Sequence, residues 1–178
     1  MKKILLALFV LGAIVLAQVA INAQEKMEKK MAGHAILAPA DLKWVDGPAA
    51  LPPGAKLAVL EGDPSEEGLF TMRISVPDGY RIQPHWHPAF EYVTVMSGTF
   101  NIGMGEKFDE TKTHPVPVGG FTFMAPGMRH YAWAKGETIV QLHAMGPWQL
   151  YYVNPADDPR QMKKIGEVME KKEEMKKQ

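Results

Sequence analysis

The residues of this chain that could do chemistry are concentrated in one short stretch, GYRIQPHWHPAFEYVTVMSG, between Gly79 and Gly98. The stretch carries His85 and His87 two positions apart, and Glu91 follows four positions later. Alternate side chains of a β-strand share one face, so the two imidazoles would point the same way, roughly 6–7 Å apart along the backbone. Imidazole and carboxylate both bind divalent transition metals. The spacing therefore indicates either a metal site or an ordinary strand pair that carries histidines.

A second segment, GGFTFMAPGMRHYAWA, supplies a further candidate ligand. Its Pro126–Gly127 pair predicts a turn, after which His130 enters a new strand. Ala132 and Ala134 share the face of His130 in that strand. Because both side chains are small, they leave room beside the histidine for a metal or a substrate.

The elements that must position these residues are predicted to be strands. Between residues 42 and 156, short runs such as LFTMRISV, EYVTVM, TFNIGM and ETIVQLH alternate apolar and polar side chains between glycines and prolines. Runs of this length and composition are typical of strands, and no convincing amphipathic helix interrupts them. We expect an all-β sandwich or small barrel. Pro84 and Pro88 cannot donate to a sheet ladder, so the histidines are expected at a strand end or bend near a barrel mouth.

The first segment resembles the first motif of the cupin superfamily. That motif has a glycine, five residues, His-x-His, three or four residues, a glutamate, six residues and a final glycine. Gly79, His85, His87, Glu91 and Gly98 stand at these spacings without a gap.

The second segment resembles the second cupin motif. Five residues separate Gly120 from Pro126, and two residues separate Gly127 from His130. The sequence departs from the usual pattern at two positions that vary among cupins. The proline and glycine are adjacent where the family usually has one residue between them, and Ala134 stands where an asparagine is common.

The resemblance covers about residues 57–153 and is closest to single-domain, type-2-like bacterial cupins, some similar to the cupin half of zinc-dependent anti-sigma factors. It implies a cupin double-stranded β-helix, which is a small conical β-barrel or jelly roll, and a homodimer. It also implies one divalent transition metal, Zn, Cu, Mn, Fe or Ni, with four ligands. The ligands implied are His85, His87, Glu91 and His130.

Four ligand-type residues in two matching motifs favour a metal site over histidines that merely complete a core. Glu91 has a second candidate role, because a glutamate that does not bind the metal can act as a catalytic base. Histidine ligands must be deprotonated, so we expect metal occupancy to weaken below about pH 6.

The two ends of the chain are expected to lie outside the barrel. Residues 1–23 contain two lysines, an apolar run and small residues ending at Ala23, which is the layout of a secretory signal peptide. The apolar run is short for a membrane span of roughly 20 residues, so cleavage near Ala23 is favoured over a retained anchor. We expect a periplasmic or secreted protein without a stable membrane span in the mature chain. Residues 24–41 are predicted as a leader, 42–156 as the barrel and 157–178 as a short charged C-terminal helix.

Composition narrows the function classes. Twenty basic and twenty acidic residues balance, which argues against nucleic acid as a partner. The chain has no cysteine, which excludes a disulfide, a thiolate metal site and a thiol nucleophile.

The functional hypothesis is an exported metal-binding cupin that takes a small-molecule ligand or substrate. It is either a metal-dependent enzyme of the oxygenase or isomerase type, such as a dioxygenase-like oxidoreductase, or a non-catalytic metal-binding, ligand-binding or sensor cupin. A third alternative is a structural or interaction protein in which the metal only stabilises the barrel.

Aromatic and apolar residues near the motifs have structural roles in this interpretation. Trp86 and Tyr92 fall on the face opposite the ligands and are predicted to pack between sheets or at a dimer contact. Phe90, Met124 and Trp133 are predicted to lie in the core.

Overall fold

The computed structural model describes residues 33–161 and Met175. The chain divides into two compact units, residues 1–38 and 39–178. Residues 33–38 of the first unit contain no helix or strand. The signal peptide, residues 24–32 of the leader and, apart from Met175, the C-terminal helix beyond Gln161 fall outside the described residues. Those assignments, the predicted domain boundaries and export of the chain therefore stay predictions.

The described part of the second unit consists mainly of β-strands, which confirms the predicted all-β class. Its strands are β1 (Val45–Asp46), β2 (Lys56–Glu61), β3 (Gly68–Val76), β4 (Arg81–Trp86), β5 (Glu91–Met104), β6 (His114–Pro117), β7 (Phe121–Met124), β8 (His130–Gly146) and β9 (Tyr151–Tyr152). Short 3₁₀ turns occupy Pro39–Asp41, Glu110–Lys112 and Pro155–Asp157, and residues 159–161 are helical. Within the described ranges, no helix has the length and apolar character needed to cross a membrane.

The sheet is organised around the two longest strands, β5 and β8, and every pairing in it is antiparallel. Along one edge of β8 lie first β4 and then β3, while β5 follows the other edge for almost its whole length. The path of neighbours runs β1-β2-β3-β8-β4-β9, and β5 also pairs with β6 and β7. Strand β8 thus pairs with β4 and β3 on one edge and with β5 on the other. The sheet curls and encloses one hydrophobic core.

The bend in the β5–β8 ladder occurs at a glycine of the first motif. The register shifts between Ser97 and Thr99, on either side of Gly98, which has φ +70°. A Cβ on Gly98 would lie 2.6 Å from the carbonyl oxygen of Glu137 and 2.3 Å from Oγ1 of Thr138. Glycine is therefore required here both for its backbone conformation and for the close approach of β8.

Side chains alternate between the core and the outer surface along the strands. In β3 the buried positions include Phe70, Met72 and Ile74, with partly exposed residues between them. Met124 is buried, which confirms its predicted place in the core. The predicted core position of Phe90 is wrong, because this residue lies just before β5 on the outer surface and is 45% exposed.

An aromatic patch lies on the outer face of β5 and β7. It consists of Phe90, Tyr92, Phe121 and Phe123, each between 39% and 57% exposed. The Tyr92 ring lies 5.9 Å from that of Phe90 and 6.2 Å from that of Phe123. Tyr92 is thus not packed between sheets, and its contact with a second copy of the chain, like the homodimer itself, stays a prediction.

Two tryptophans lie at the margin of the core rather than inside it. Trp133, predicted as a core residue, is half-buried and donates a hydrogen bond from Nε1 to Oγ1 of Thr113 at 3.1 Å. Trp86 stacks on Tyr151 of β9 with 4.6 Å between the ring centroids. A tryptophan keeps its N–H satisfied most easily where a polar partner or solvent is within reach.

Replacing Gly98 with alanine tests the bend. Gly79→Ala is the matched control, since Gly79 has φ +72° but a Cβ added there would meet no atom within 4 Å. We expect Gly79→Ala to lower the free energy of unfolding by about 1–2 kcal/mol from backbone strain alone. Gly98→Ala should lower it by about 1–3 kcal/mol more, because β8 must also move away. Urea unfolding measures both, and equal losses would show that close approach of β8 is unimportant.

Candidate metal centre

Three histidines and one glutamate come together on the inner surface of the curled sheet. His85 lies on β4, directly opposite His130 at the start of β8. His87 follows the end of β4, and Glu91 begins β5. All four side chains are buried, with at most 5% of each residue exposed. The four residues singled out in the sequence are therefore neighbours in space.

The three imidazole rings face one another closely. The ring centroid of His85 lies 4.2 Å from that of His130 and 5.1 Å from that of His87. One nitrogen from each ring can be chosen so that all three lie within 4.8 Å of one another, an arrangement that could hold a metal ion.

Backbone carbonyls determine which ring nitrogen is available. The Nδ1 atoms of His85, His87 and His130 lie 2.8, 2.7 and 3.0 Å from the carbonyl oxygens of Gln83, Gln149 and Met128 respectively. A carbonyl oxygen can only accept, so each Nδ1 carries the proton and donates it. Each Nε2 then carries a lone pair, which is the form that binds a metal.

The Nε2 atom of His87 shows that the site fits a metal. This atom is buried and has no hydrogen-bond partner among the described residues. An unsatisfied buried polar atom is unfavourable by about 1–3 kcal/mol, and a metal ligated by this nitrogen would remove that penalty. Three imidazoles and a carboxylate are also a donor set that transition metals accept.

Glu91, the first residue of β5, completes the cluster. Its Oε1 lies 3.4 Å from Nε2 of His87, and its Oε2 lies 3.8 Å from Nε2 of His130. Since both nitrogens present lone pairs, these contacts repel unless a cation, or a proton on the carboxyl, lies between them. Burial raises the pKa of the Glu91 carboxyl, while His130 and a hydrogen bond from Trp148 partly oppose that rise.

The curl of β8 is what brings Glu91 to the histidines. The backbone of Glu91 pairs with Ala144, fourteen positions after His130 in the same strand. That separation would be about 46 Å if the strand were straight, whereas the Glu91 carboxylate lies 3.8 Å from the His130 ring.

A cavity opens beside the four residues. Its volume is about 490 Å³, including the open space at its mouth. The four residues and Trp148 line one part of it, and the remainder is apolar, including Ile74, Val93, Phe100 and Leu142. Among its described lining residues, only the three histidines and Glu91 have ionisable side chains.

Burial keeps the imidazoles neutral. It lowers the pKa of the His87 ring to about 4 and also lowers the pKa of His130. Burial and then the proximity of the other two rings lower the pKa of His85 well below its ordinary value. At neutral pH the rings therefore need no deprotonation before they bind a metal.

Trp148 was not anticipated from the sequence. It donates from Nε1 to Oε1 of Glu91 at 3.2 Å, and its indole stacks on His87 with 5.7 Å between ring centroids. No spacing rule connects Trp148 with a glutamate 57 positions earlier. The only local signal is that it follows a Gly-Pro break after a long apolar strand.

Comparison with protein families gives one match. The profile described as the ChrR cupin-like domain matches residues 32–149. A search of curated protein sequences gives no match.

Solved structures with a similar fold include three proteins with low sequence identity. The polyketide cyclase RemF from Streptomyces resistomycificus is 19% identical with a TM-score of 0.56, covering 71% of this chain and 89% of RemF. A putative acetylacetone dioxygenase from Methylibium petroleiphilum is 19% identical with a TM-score of 0.54, covering 71% and 85%. KdgF from a Halomonas species is 16% identical with a TM-score of 0.50, covering 64% and 94%. These likenesses show the fold.

The depressed imidazole pKa values change the expected pH dependence of metal binding. Protonation of the imidazoles competes with a metal only as the pH falls towards the pKa of the folded, metal-free rings, which for His87 is about 4. Protonation of Glu91, whose pKa burial raises, begins to compete at a higher pH than in an exposed glutamate. In Glu91→Gln, which lacks that carboxyl, we therefore expect the affinity for Zn²⁺ to stay nearly constant from pH 8 to 6 and to decline only at about pH 5 and below. Chelator competition measures the affinity, and circular dichroism of the same samples reports the folded fraction. A tenfold loss between pH 7 and 6 in folded Glu91→Gln would contradict this expectation.

Proposed function

This chain belongs to the family of ChrR cupin-like domains, and from that premise we propose that it is a metal-dependent enzyme acting on a small, mainly apolar organic molecule. The observation that carries the proposal is the unpartnered, buried Nε2 of His87 beside an apolar cavity. Such a nitrogen has a ready explanation as a metal ligand, and the adjoining space is lined mainly by apolar side chains.

The proposed ligands are the four residues of the cluster. His85, His87 and His130 would bind through Nε2, and Glu91 would bind through its carboxylate. The carbonyl oxygens that accept from each Nδ1 hold the rings in place and make each Nε2 a better donor. One divalent transition metal, Zn, Cu, Mn, Fe or Ni, is compatible with this donor set. When bound, it would supply a Lewis acid or redox centre at the cavity wall.

The cavity defines the substrate class. Ile74, Val93 and Phe100 offer apolar contacts and no hydrogen bonds. A substrate would therefore place its apolar body against these residues and its polar, reacting group towards the histidines.

Glu91 is the candidate for proton transfer if it does not bind the metal. Apart from the imidazoles, it is the only ionisable side chain among the described residues that line the cavity. Because burial raises its pKa, it can accept a proton from a substrate more readily than an exposed glutamate. This role suits chemistry of the isomerase or oxygenase type, in which a proton leaves or rejoins a carbon or hydroxyl group.

The alternative is a non-catalytic metal-binding or ligand-sensing cupin. It is favoured by the scarcity of polar groups among the described residues that line the cavity, of which only the cluster and Trp148 could orient a reacting group. The polyketide cyclase and the putative dioxygenase are similar in fold alone, so their activities do not decide between the alternatives.

Removing one imidazole tests the metal site. We expect elemental analysis to find about one metal per chain in the wild type and less than about a tenth of that in His87→Ala, because a ligand has been lost. His114→Ala is the matched control, since His114 is exposed on β6 and should leave the metal content unchanged. Equal metal in His87→Ala, with native circular dichroism, would contradict the proposed site.

Filling the cavity distinguishes the proposed enzyme from the non-catalytic, ligand-sensing alternative. Val93→Phe adds bulk to the cavity wall without altering a proposed ligand, so it should keep its metal. We expect it to lose at least about tenfold in kcat/KM for any substrate found by screening small apolar carbonyl, phenol and enol compounds. Turnover that survives full chelation, or that Val93→Phe leaves unchanged, would rule out the proposed enzyme. Metal-dependent ligand binding without turnover would favour the sensor.

A further inference from the structure

Trp148 contacts two of the four residues in the cluster at once. Its indole stacks on the imidazole of His87, with an angle of 19° between the ring planes. Its Nε1–H donates a hydrogen bond to Oε1 of Glu91 at 3.2 Å. The ring is half-buried and lines the cavity. A single side chain therefore limits the movement of both His87 and Glu91.

The segment that carries Trp148 is itself held on both sides. The backbone N–H of Trp148 donates to the carbonyl oxygen of Pro64 at 2.7 Å. The next residue, Gln149, accepts the Nδ1 proton of His87, and Leu150 is buried in the core. The indole is thus presented from a fixed backbone, which is what a positioning group requires.

The Glu91 carboxylate needs a positioning group of this kind. Among the described residues, the indole N–H is the one hydrogen-bond donor to its carboxylate. The nearest histidine nitrogens, on His87 and His130, face it with lone pairs because their protons lie on Nδ1. Without the indole, the glutamate would have no attractive polar contact to keep it pointing at the cluster.

We propose that Trp148 is a positioning residue whose N–H engages Oε1 of Glu91 and so presents Oε2 as the oxygen that binds the metal. The inference rests on the proposed function, since it assigns Trp148 a role towards the metal held by the histidines. Trp148 lies outside both sequence motifs. It would act on the site through Glu91 and not on the substrate directly.

A double-mutant cycle tests this role. Trp148→Phe keeps an aromatic ring against His87 but removes the N–H, and Glu91→Gln replaces the carboxylate by a much weaker ligand. We expect Trp148→Phe to weaken Zn²⁺ binding about tenfold in the wild-type background, the lower end of effects seen for such supporting residues. In the Glu91→Gln background it should change the affinity less than about twofold, because the two substitutions remove the same contribution.

Trp133→Phe is the matched control. Trp133 is also half-buried and also donates from Nε1, but its partner is Thr113 and it does not line the cavity. Its substitution should leave Zn²⁺ affinity unchanged. If Trp148→Phe weakens binding equally in both backgrounds, Trp148 acts through packing on His87, and the proposal is overturned. No loss in the wild-type background would overturn it as well.

A measurement on metal-free protein separates failure of this inference from failure of the proposed function. The indole N–H resonance of Trp148, assigned in ¹H–¹⁵N spectra by its absence from Trp148→Phe, should shift in Glu91→Gln while that of Trp133 stays in place. An unmoved Trp148 resonance shows that the hydrogen bond is absent and overturns the inference. If the resonance shifts in Glu91→Gln but the wild-type protein binds no Zn²⁺, Cu²⁺, Mn²⁺, Fe²⁺ or Ni²⁺, the proposed metal site is overturned. The positioning role of Trp148 is then overturned with it.

Discussion

Burial of three neutral imidazoles around one carboxylate is the constraint on which the rest of the structure depends. Each ring tolerates burial because its Nδ1 proton is donated to a backbone carbonyl. The same hydrogen bonds leave three lone pairs directed at one small volume. This arrangement is electrostatically unfavourable without a cation, so the local structure that stabilises each ring also favours a metal at the centre.

The same burial determines what the cavity can do. Apolar walls exclude water and lower the pKa of the histidines, which keeps them as ligands rather than as acids. They also raise the pKa of Glu91, which is the fourth proposed ligand or, if it does not bind the metal, the candidate proton acceptor. Specificity must then come from cavity shape, because the wall residues, such as Val93 and Phe100, offer few directional contacts.

Strand periodicity predicted much of the fold, and its errors have a physical cause. Residue type correctly placed Met124 inside, where it lies on the buried face of a paired strand. The predictions for Phe90 and Trp133 are wrong, since an apolar or aromatic residue type does not by itself ensure burial. Phe90 lies outside the strand, among other exposed aromatic rings, and Trp133 sits where its N–H reaches Thr113.

The sequence by itself determined the four candidate ligands, which stand in two matching motifs, and the face that His85 shares with His87. These features depend on neighbours within a few residues, where strand geometry is sufficient. Only the tertiary structure decided that Glu91 meets His130, that every Nδ1 has a carbonyl partner, and that Trp148 holds the carboxylate. Two of these contacts, Glu91 with His130 and Trp148 with Glu91, join residues far apart in the chain, so their geometry follows from the curl of the sheet and not from any local pattern.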